Sequence, residues 1–203
     1  QSLAVLPNYA NNINPDLQNE RISSLELGYG YVSNALKINV NLYTTTWGDR
    51  FISRGFNLEG GLEGTAQFRN IDQTHSGIEI EGIYRPSSSL SFRGMLSIGD
   101  WKYTKDFTAT VFDDNQNQVG EGTLYTKDAK VGDAAQFVSY LEADYRPFEN
   151  FSLDLGWRSV DNLYADYSIT DSAFLDPNND GAIKLPAYNL IDFGASYSFE
   201  FLD

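Results

Sequence analysis

The sequence predicts an all-β chain folded as an antiparallel transmembrane β-barrel segment, and three observations carry that prediction. The first is a polarity period of two. Phe151, Leu153, Leu155 and Trp157 alternate with Ser152, Asp154, Gly156 and Arg158, and Phe137, Leu141, Ala143 and Tyr145 face away from Gln136, Glu142, Asp144 and Arg146. Successive strand residues point to opposite faces, so each run has one apolar and one polar face. The second is length and layout: runs of 10–15 residues are joined alternately by tight turns and long loops. Soluble strands are usually ~5–6 residues, and a membrane strand needs about 9–11 to cross. The third is an aromatic level. Tyr31, Tyr84 and Tyr145 close apolar rows just before short turns, Phe92 and Phe151 open the next rows, and Tyr197 joins them on the last strand. A membrane interface selects such a girdle.

Each element follows from its own residues. Residues 20–32 form a strand with Leu25, Leu27, Tyr29 and Tyr31 opposite Ser24, Glu26, Gly28 and Gly30, and Ser33-Asn34 is a tight turn. Residues 35–47 return, with Leu36, Ile38, Val40 and Leu42 opposite Lys37, Asn39, Asn41 and Tyr43. A polar, Gly-rich stretch, 48–69, reads as a loop. Residues 71–85 set Ile78, Ile80 and Tyr84 opposite Glu79, Glu81 and Arg85. The turn Pro86–Ser89 leads to 90–103, with Phe92, Leu96 and Ile98 on one face. A second loop, 105–134, has room for a hairpin around Asp113–Asn117. Residues 135–146, the turn Pro147–Asn150 and 151–160 repeat the unit. A third loop, 161–186, precedes a last strand, 187–201, with Ile191, Phe193, Ala195, Tyr197 and Phe199 facing lipid.

Seven strands leave two open edges, which cannot face lipid because every backbone N–H and C=O there needs a partner. Single-chain bacterial barrels have even strand numbers. The expectation is therefore a slice of a larger barrel. A chain starting Gln-Ser without a signal segment is expected to be a mature or truncated polypeptide.

Several segments resemble one family. Asn14-Pro15-Asp16-Leu17-Gln18-Asn19-Glu20 with Ser24-Leu25-Glu26-Leu27-Gly28-Tyr29 is similar to the first-strand motif of TonB-dependent outer-membrane receptors. Asn41-Leu42-Tyr43 with Trp47-Gly48-Asp49-Arg50, the run Asn70-Ile71-Asp72 through His75–Glu81, and Leu185–Asp192 resemble later strands of the same barrels, in a Bacteroidota flavour. The resemblance implies part of the C-terminal half of a 22-stranded barrel over residues 1–203, without plug domain, TonB box or final strands. It implies energised uptake of a scarce nutrient (siderophore, cobalamin, glycan or peptide), with ligand contact through loops and lumen wall. Its implied partners are the TonB energy-transducing complex through the absent plug, and a surface lipoprotein.

Composition narrows the alternatives. Without cysteine there is no disulfide or thiolate metal site, and the single histidine, His75, excludes a multi-histidine centre. A formal charge of −14 argues against nucleic-acid binding. A mean hydropathy of −0.37 looks soluble, as it does in any barrel that shows lipid only alternate residues. The acidic excess suits surroundings of outer-membrane lipid and lipopolysaccharide bridged by divalent cations, and disfavours an anionic cargo. Glu26, Lys37, Glu79, Glu81, Arg93, Glu142, Asp144, Asp154, Arg158 and Asp192 are the lumen-facing candidates, with Arg85 and Arg146 as further ion-pair partners.

No catalytic site is expected. Asp72, His75 and Ser76 imitate a hydrolase triad, but strand alternation turns Asp72 and Ser76 away from His75. No resident cofactor is expected except a structural Ca²⁺ at Asp176, Asn178 and Asp180, whose spacing matches the first half of a calcium loop. Ala187 replaces the closing bidentate glutamate, so a plain Asx-rich turn competes with it. Asp113, Asn115 and Asn117 repeat the spacing more weakly. Phe56, Phe107, Phe112, Tyr125, Tyr164, Tyr167 and Phe174 either stack on a ligand or pack the loops together. The competing functions are a non-transporting scaffold barrel, a soluble β-domain and an outer-membrane lipase or acyltransferase.

Overall fold

The fold grows from alternation into one antiparallel meander. The computed structural model describes residues 3–5, 11–13, 19–57, 63–115, 117–165 and 171–199. Two short strands, β1 (Leu3–Val5) and β2 (Asn11–Ile13), pair with each other. The main sheet holds β3 (Arg21–Val32), β4 (Leu36–Asn57), β5 (Glu63–Tyr84), β6 (Leu90–Tyr103), β9 (Ala135–Phe148), β10 (Phe151–Leu163) and β11 (Tyr188–Tyr197). Their order is β11-β10-β9-β6-β5-β4-β3, with a hairpin of β7 (Phe107–Asp113) and β8 (Gln118–Leu124) attached to β5. Among the described residues β3 and β11 pair on one side only, so the sheet is open. No helix among them is long and apolar enough to cross a membrane, which leaves crossing by strands untouched. Residues 14–18, which carry most of the first-strand motif, lie outside the described residues.

Register puts every apolar row on one face. Leu36, Tyr84, Phe92 and Ala143 are neighbours across four strands, and so are Val40, Ile80, Leu96 and Ser139. This face stays open: Leu25, Leu27, Ile191 and Phe193 are 67–74% exposed. A soluble sheet would bury such a face. The six girdle aromatics share it at the short-turn end, where Tyr84 stacks on Phe92 at 6.4 Å and Phe151 pairs with Tyr197. At the other end the same face turns polar, with Thr44, Ser76 and Asp100 side by side.

Two strands are longer than the alternation suggests. β4 runs ten residues past Trp47 to Asn57 and β5 starts at Glu63, so the expected 48–69 loop is mostly a hairpin. The register explains why it reads as a loop. Between Trp47 and Arg50 an extra residue sits on β4, and between Ile71 and Phe68 another sits on β5. Each such bulge slips the period-two pattern by one. Asp49 and Asn70 take the left-handed conformation there (φ 58° each), which Asp and Asn tolerate best after Gly. Likewise β10 continues to Leu163, and a 3₁₀ turn, Ser172–Leu175, stands inside the expected 161–186 loop. The hairpin expected around Asp113–Asn117 is β7–β8.

The buried core lies beyond the bulges. Ile71, Phe68, Ala66, Tyr103, Phe107, Ala109, Leu124 and Phe174 are at most 8% exposed, and Phe68 meets Phe107 edge-on at 6.1 Å. The 3₁₀ turn closes it by placing Phe174 over β8, pinned by the Tyr125 N–H on the Phe174 carbonyl at 2.7 Å.

Candidate functional site: the polar face and the long-loop mouth

The polar face is continuous because every short turn preserves alternation. Lys37, Ile83, Arg93, Glu142, Gly156 and Asp192 form one cross-strand row, and Asn39, Glu81, Met95, Tyr140 and Arg158 form the next. Glu26, Glu79, Asp144 and Asp154 occupy adjoining rows, so all ten polar candidates share this face. The ion pairing among them is partial. Arg93 reaches Glu142 at 3.3 Å and Asp144 at 3.9 Å, and Asn39 donates to Glu81 at 2.8 Å. Arg158 instead lies 5.6 Å over the Tyr140 ring, whose hydroxyl donates to Glu142. Among the described residues Arg85 and Arg146 show no carboxylate partner, so of the four arginines Arg93 is the one in ion pairs with this face's carboxylates.

Glycines on this face are spaces for neighbours. A Cβ on Gly77 would lie 2.6 Å from the Tyr43 hydroxyl and from the Ile98 carbonyl oxygen. The space lets Tyr43 lean across β5 and accept the Trp101 indole N–H at 3.0 Å.

Toward the long loops the polar face carries an aromatic ladder that single-residue reading misses. His75 stacks between Trp47 (6.1 Å) and Trp101 (5.1 Å), and Arg50 caps Trp47 at 5.0 Å while donating to Gln73 at 3.0 Å. The available signal was the odd-numbered parity of Tyr43, Trp47, His75 and Trp101. Gln136 extends the sheet with its side chain, accepting from the Trp101 N–H and donating to its carbonyl, each at 3.0 Å. At the bulges, Arg21–Asp49 (2.6 Å), Arg50–Glu20 (2.8 Å) and Lys105–Asp72 (2.7 Å) tie three strands and the following loop together. Asp72 also accepts from the Asp49 N–H, and Ser76 bonds Thr44 on the apolar face. Asp72, His75 and Ser76 therefore form no triad.

Above the core opens a groove of about 770 Å³, floored by Ala66, Phe68, Val111 and Gly122 and edged by Arg54 and Leu175. Phe107 and Phe174 are 3% exposed, so both pack the loops. Tyr125 remains 37% exposed, whereas Tyr167 and the Phe56 side chain lie outside the described residues. In the 176–181 segment the Asp176 carboxylate accepts the Asn178 N–H at 2.9 Å, an Asx turn, and Asn179 holds the Tyr125 carbonyl at 2.9 Å. Among the described residues no group of three His, Cys, Asp or Glu side chains is placed to hold a metal. At the β7–β8 tip, hydrogen bonds from Asn117 and the Asn115 N–H hold the Asp113 carboxyl below the ordinary carboxylate range.

A one-faced meander of long strands with an exposed apolar side is membrane-barrel architecture, and family comparison decides which. The model described as TonB dependent receptor-like, beta-barrel matches residues 2–201. The chain belongs to the TonB-dependent receptor β-barrel family. Its place is the outer membrane, and the family transports rather than catalyses. No curated protein matched the sequence. Among solved structures, the "Copper transporter OprC" is similar at 15% identity and a TM-score of 0.36. That alignment covers 91% of this receptor chain and 32% of the other, so the chain spans about a third of that structure's length.

Proposed function

We propose that this chain is part of the wall and mouth of a TonB-dependent transporter, of the Bacteroidota type its motifs resemble, moving a scarce nutrient such as a siderophore, cobalamin, glycan or peptide. One observation carries the reading: across seven strands the apolar rows share one open face, and from the short turns up to the Thr44–Ser76–Asp100 row the charged residues lie on the other. The apolar face meets lipid between the aromatic girdle and the Thr44–Ser76–Asp100 row. The ten polar candidates line the lumen, and the hairpins beyond the bulges stand outside with the groove at their base.

Backbone groups on β3 and β11 must be satisfied in lipid, so further strands complete the barrel. A plug domain in the lumen links it to the TonB complex. Lipopolysaccharide surrounds the outer rim, and a surface lipoprotein has room above the mouth. Structural Ca²⁺ at Asp176, Asn178 and Asp180 stands behind the plain Asx turn.

The deciding experiment is a deletion strain grown on limiting iron chelate, cobalamin, glycan or peptide, with and without an intact TonB gene. The reading expects a defect on one nutrient, restored by the wild-type gene only when TonB is present. Normal uptake of all four, accompanied by loss of other envelope proteins, would replace transport with scaffolding.

A further inference from the structure

We propose that the polar face carries an anion-binding recess at its short-turn end, formed by Arg85, Arg93 and Arg146 and accepting a carboxylate or phosphate group. The three arginines and the serines of the β5–β6 turn line a hollow of about 330 Å³ together with Asp144. Register brings them together. The Arg146 N–H donates to the Ser89 carbonyl at 2.7 Å, Ser91 pairs with Asp144, and Arg93 sits opposite Ile83, two residues before Arg85 on the same face.

Charge balance at this hollow differs from the rest of the face. The ten lumen candidates are seven acidic and three basic in a chain of charge −14. Here three guanidinium groups meet one lining carboxylate, which leans on Arg93 at 3.9 Å and accepts from Ser91 at 3.4 Å, and Arg93 also pairs with Glu142 at 3.3 Å outside the hollow. Among the described residues Arg85 and Arg146 have no ion-pair partner. Converging cations on a protein wall repel one another and attract an anion more strongly than they would in bulk water. The guanidinium fork matches the paired oxygens of carboxylate and phosphate. Ser87 and Ser89, hydrogen-bonded to each other at 3.2 Å, leave one hydroxyl donor to add. Asp144 keeps its pair with Arg93, so Arg85 and Arg146 supply the ligand's charge partners. The ligand is either a free anion from the compartment facing the short turns or an acidic side chain of a protein segment seated inside the barrel.

The inference goes beyond transport, and its test does not depend on the nutrient. Inorganic phosphate is titrated into the whole native protein in detergent, followed by ³¹P line broadening, against the double variant Arg85→Gln/Arg146→Gln. Unchanged heat-modifiable gel mobility establishes that the variant is folded. Saturable binding weakened about tenfold or more in the variant, as loss of charge-assisted hydrogen bonds predicts, assigns the recess to a free anion. Binding that the variant retains overturns the proposal.

If wild type binds no phosphate, Arg146→Lys is treated with a zero-length carbodiimide and the crosslink is located by mass spectrometry. A crosslink to a carboxylate outside β6, β9 and the β9–β10 turn assigns the recess to an acidic protein segment. The absence of both phosphate binding and such a crosslink overturns the proposal.

Discussion

Single residues on the polar face do work that their chemical type alone does not announce. Gly77 is needed because a Cβ would press on backbone as well as on Tyr43, and backbone cannot swing aside. Gly77→Val should destabilise the folded chain by about 1–3 kcal/mol and release the Trp101 indole, read as a red-shifted tryptophan emission before unfolding. Gln136 is 3% exposed and satisfies both backbone groups of Trp101. Gln136→Leu should cost about 1–3 kcal/mol, chiefly for the Trp101 N–H left unpaired, since the Trp101 carbonyl keeps the Val131 N–H at 3.0 Å, and a urea midpoint equal to wild type would refute that role. Asp113 allows a pH test. Its folded pKa is depressed by Asn117 and Asn115, so its contribution is complete above the ordinary carboxylate pKa of about 3.9 and fades as pH falls through the depressed folded value. Amide-exchange protection at Asn115 and Asn117 should survive at pH 4 and disappear below it. Loss already at pH 5 would contradict the hydrogen-bond cause.

At the scale of elements, legibility followed the regularity of the period. The seven wall strands were readable because Leu, Ile and Tyr alternate with Glu, Asn and Arg without interruption over 10–15 residues. The outer halves of β4 and β5 were not, because bulges at Asp49 and Asn70 slip the phase just where Gly60, Gly61 and Gly64 thin the pattern. The shared polar face was legible from parity, whereas the Trp47–His75–Trp101 ladder needed the register between three strands. The loop aromatics stayed undecided until burial chose packing for Phe107 and Phe174. Phe174 joins the β10–β11 loop to β8, and Phe174→Ala should cost about 3–5 kcal/mol of local stability. Protease should then cut between Tyr164 and Ala187 while the membrane strands stay protected. Cleavage at the wild-type rate would mean that the loop is held by other contacts.

For the whole molecule, the two faces make opposite predictions for the same substitution. Leu155 is 52% exposed on the apolar face, and Leu155→Arg should cost about 2–4 kcal/mol in a bilayer. Asn41→Arg, on the polar face, should cost well under half as much. Equal penalties, measured by urea unfolding in lipid vesicles, would mean that the apolar face does not meet lipid. From Tyr84 to Ser76 the apolar band of β5 spans about 27 Å along the strand at ~3.4 Å per residue, which tilting shortens toward the roughly 25 Å apolar band of outer-membrane barrels.

The two bulges cancel: Trp47 faces Gln73 and, five residues further along each strand, Ile52 faces Phe68. Residue number therefore acts as a parity code, odd for the inward side of β4 up to Trp47 and even from Arg50 on. A one-residue deletion in either strand alone would reverse the outer half of that hairpin, turning Phe68 or Ile52 outward into water. Paired deletions of Asp49 and Asn70 would keep both faces and merely remove the bulges. Length variation in this hairpin should accordingly be inherited in matched pairs, an evolutionary constraint set by counting rather than by chemistry.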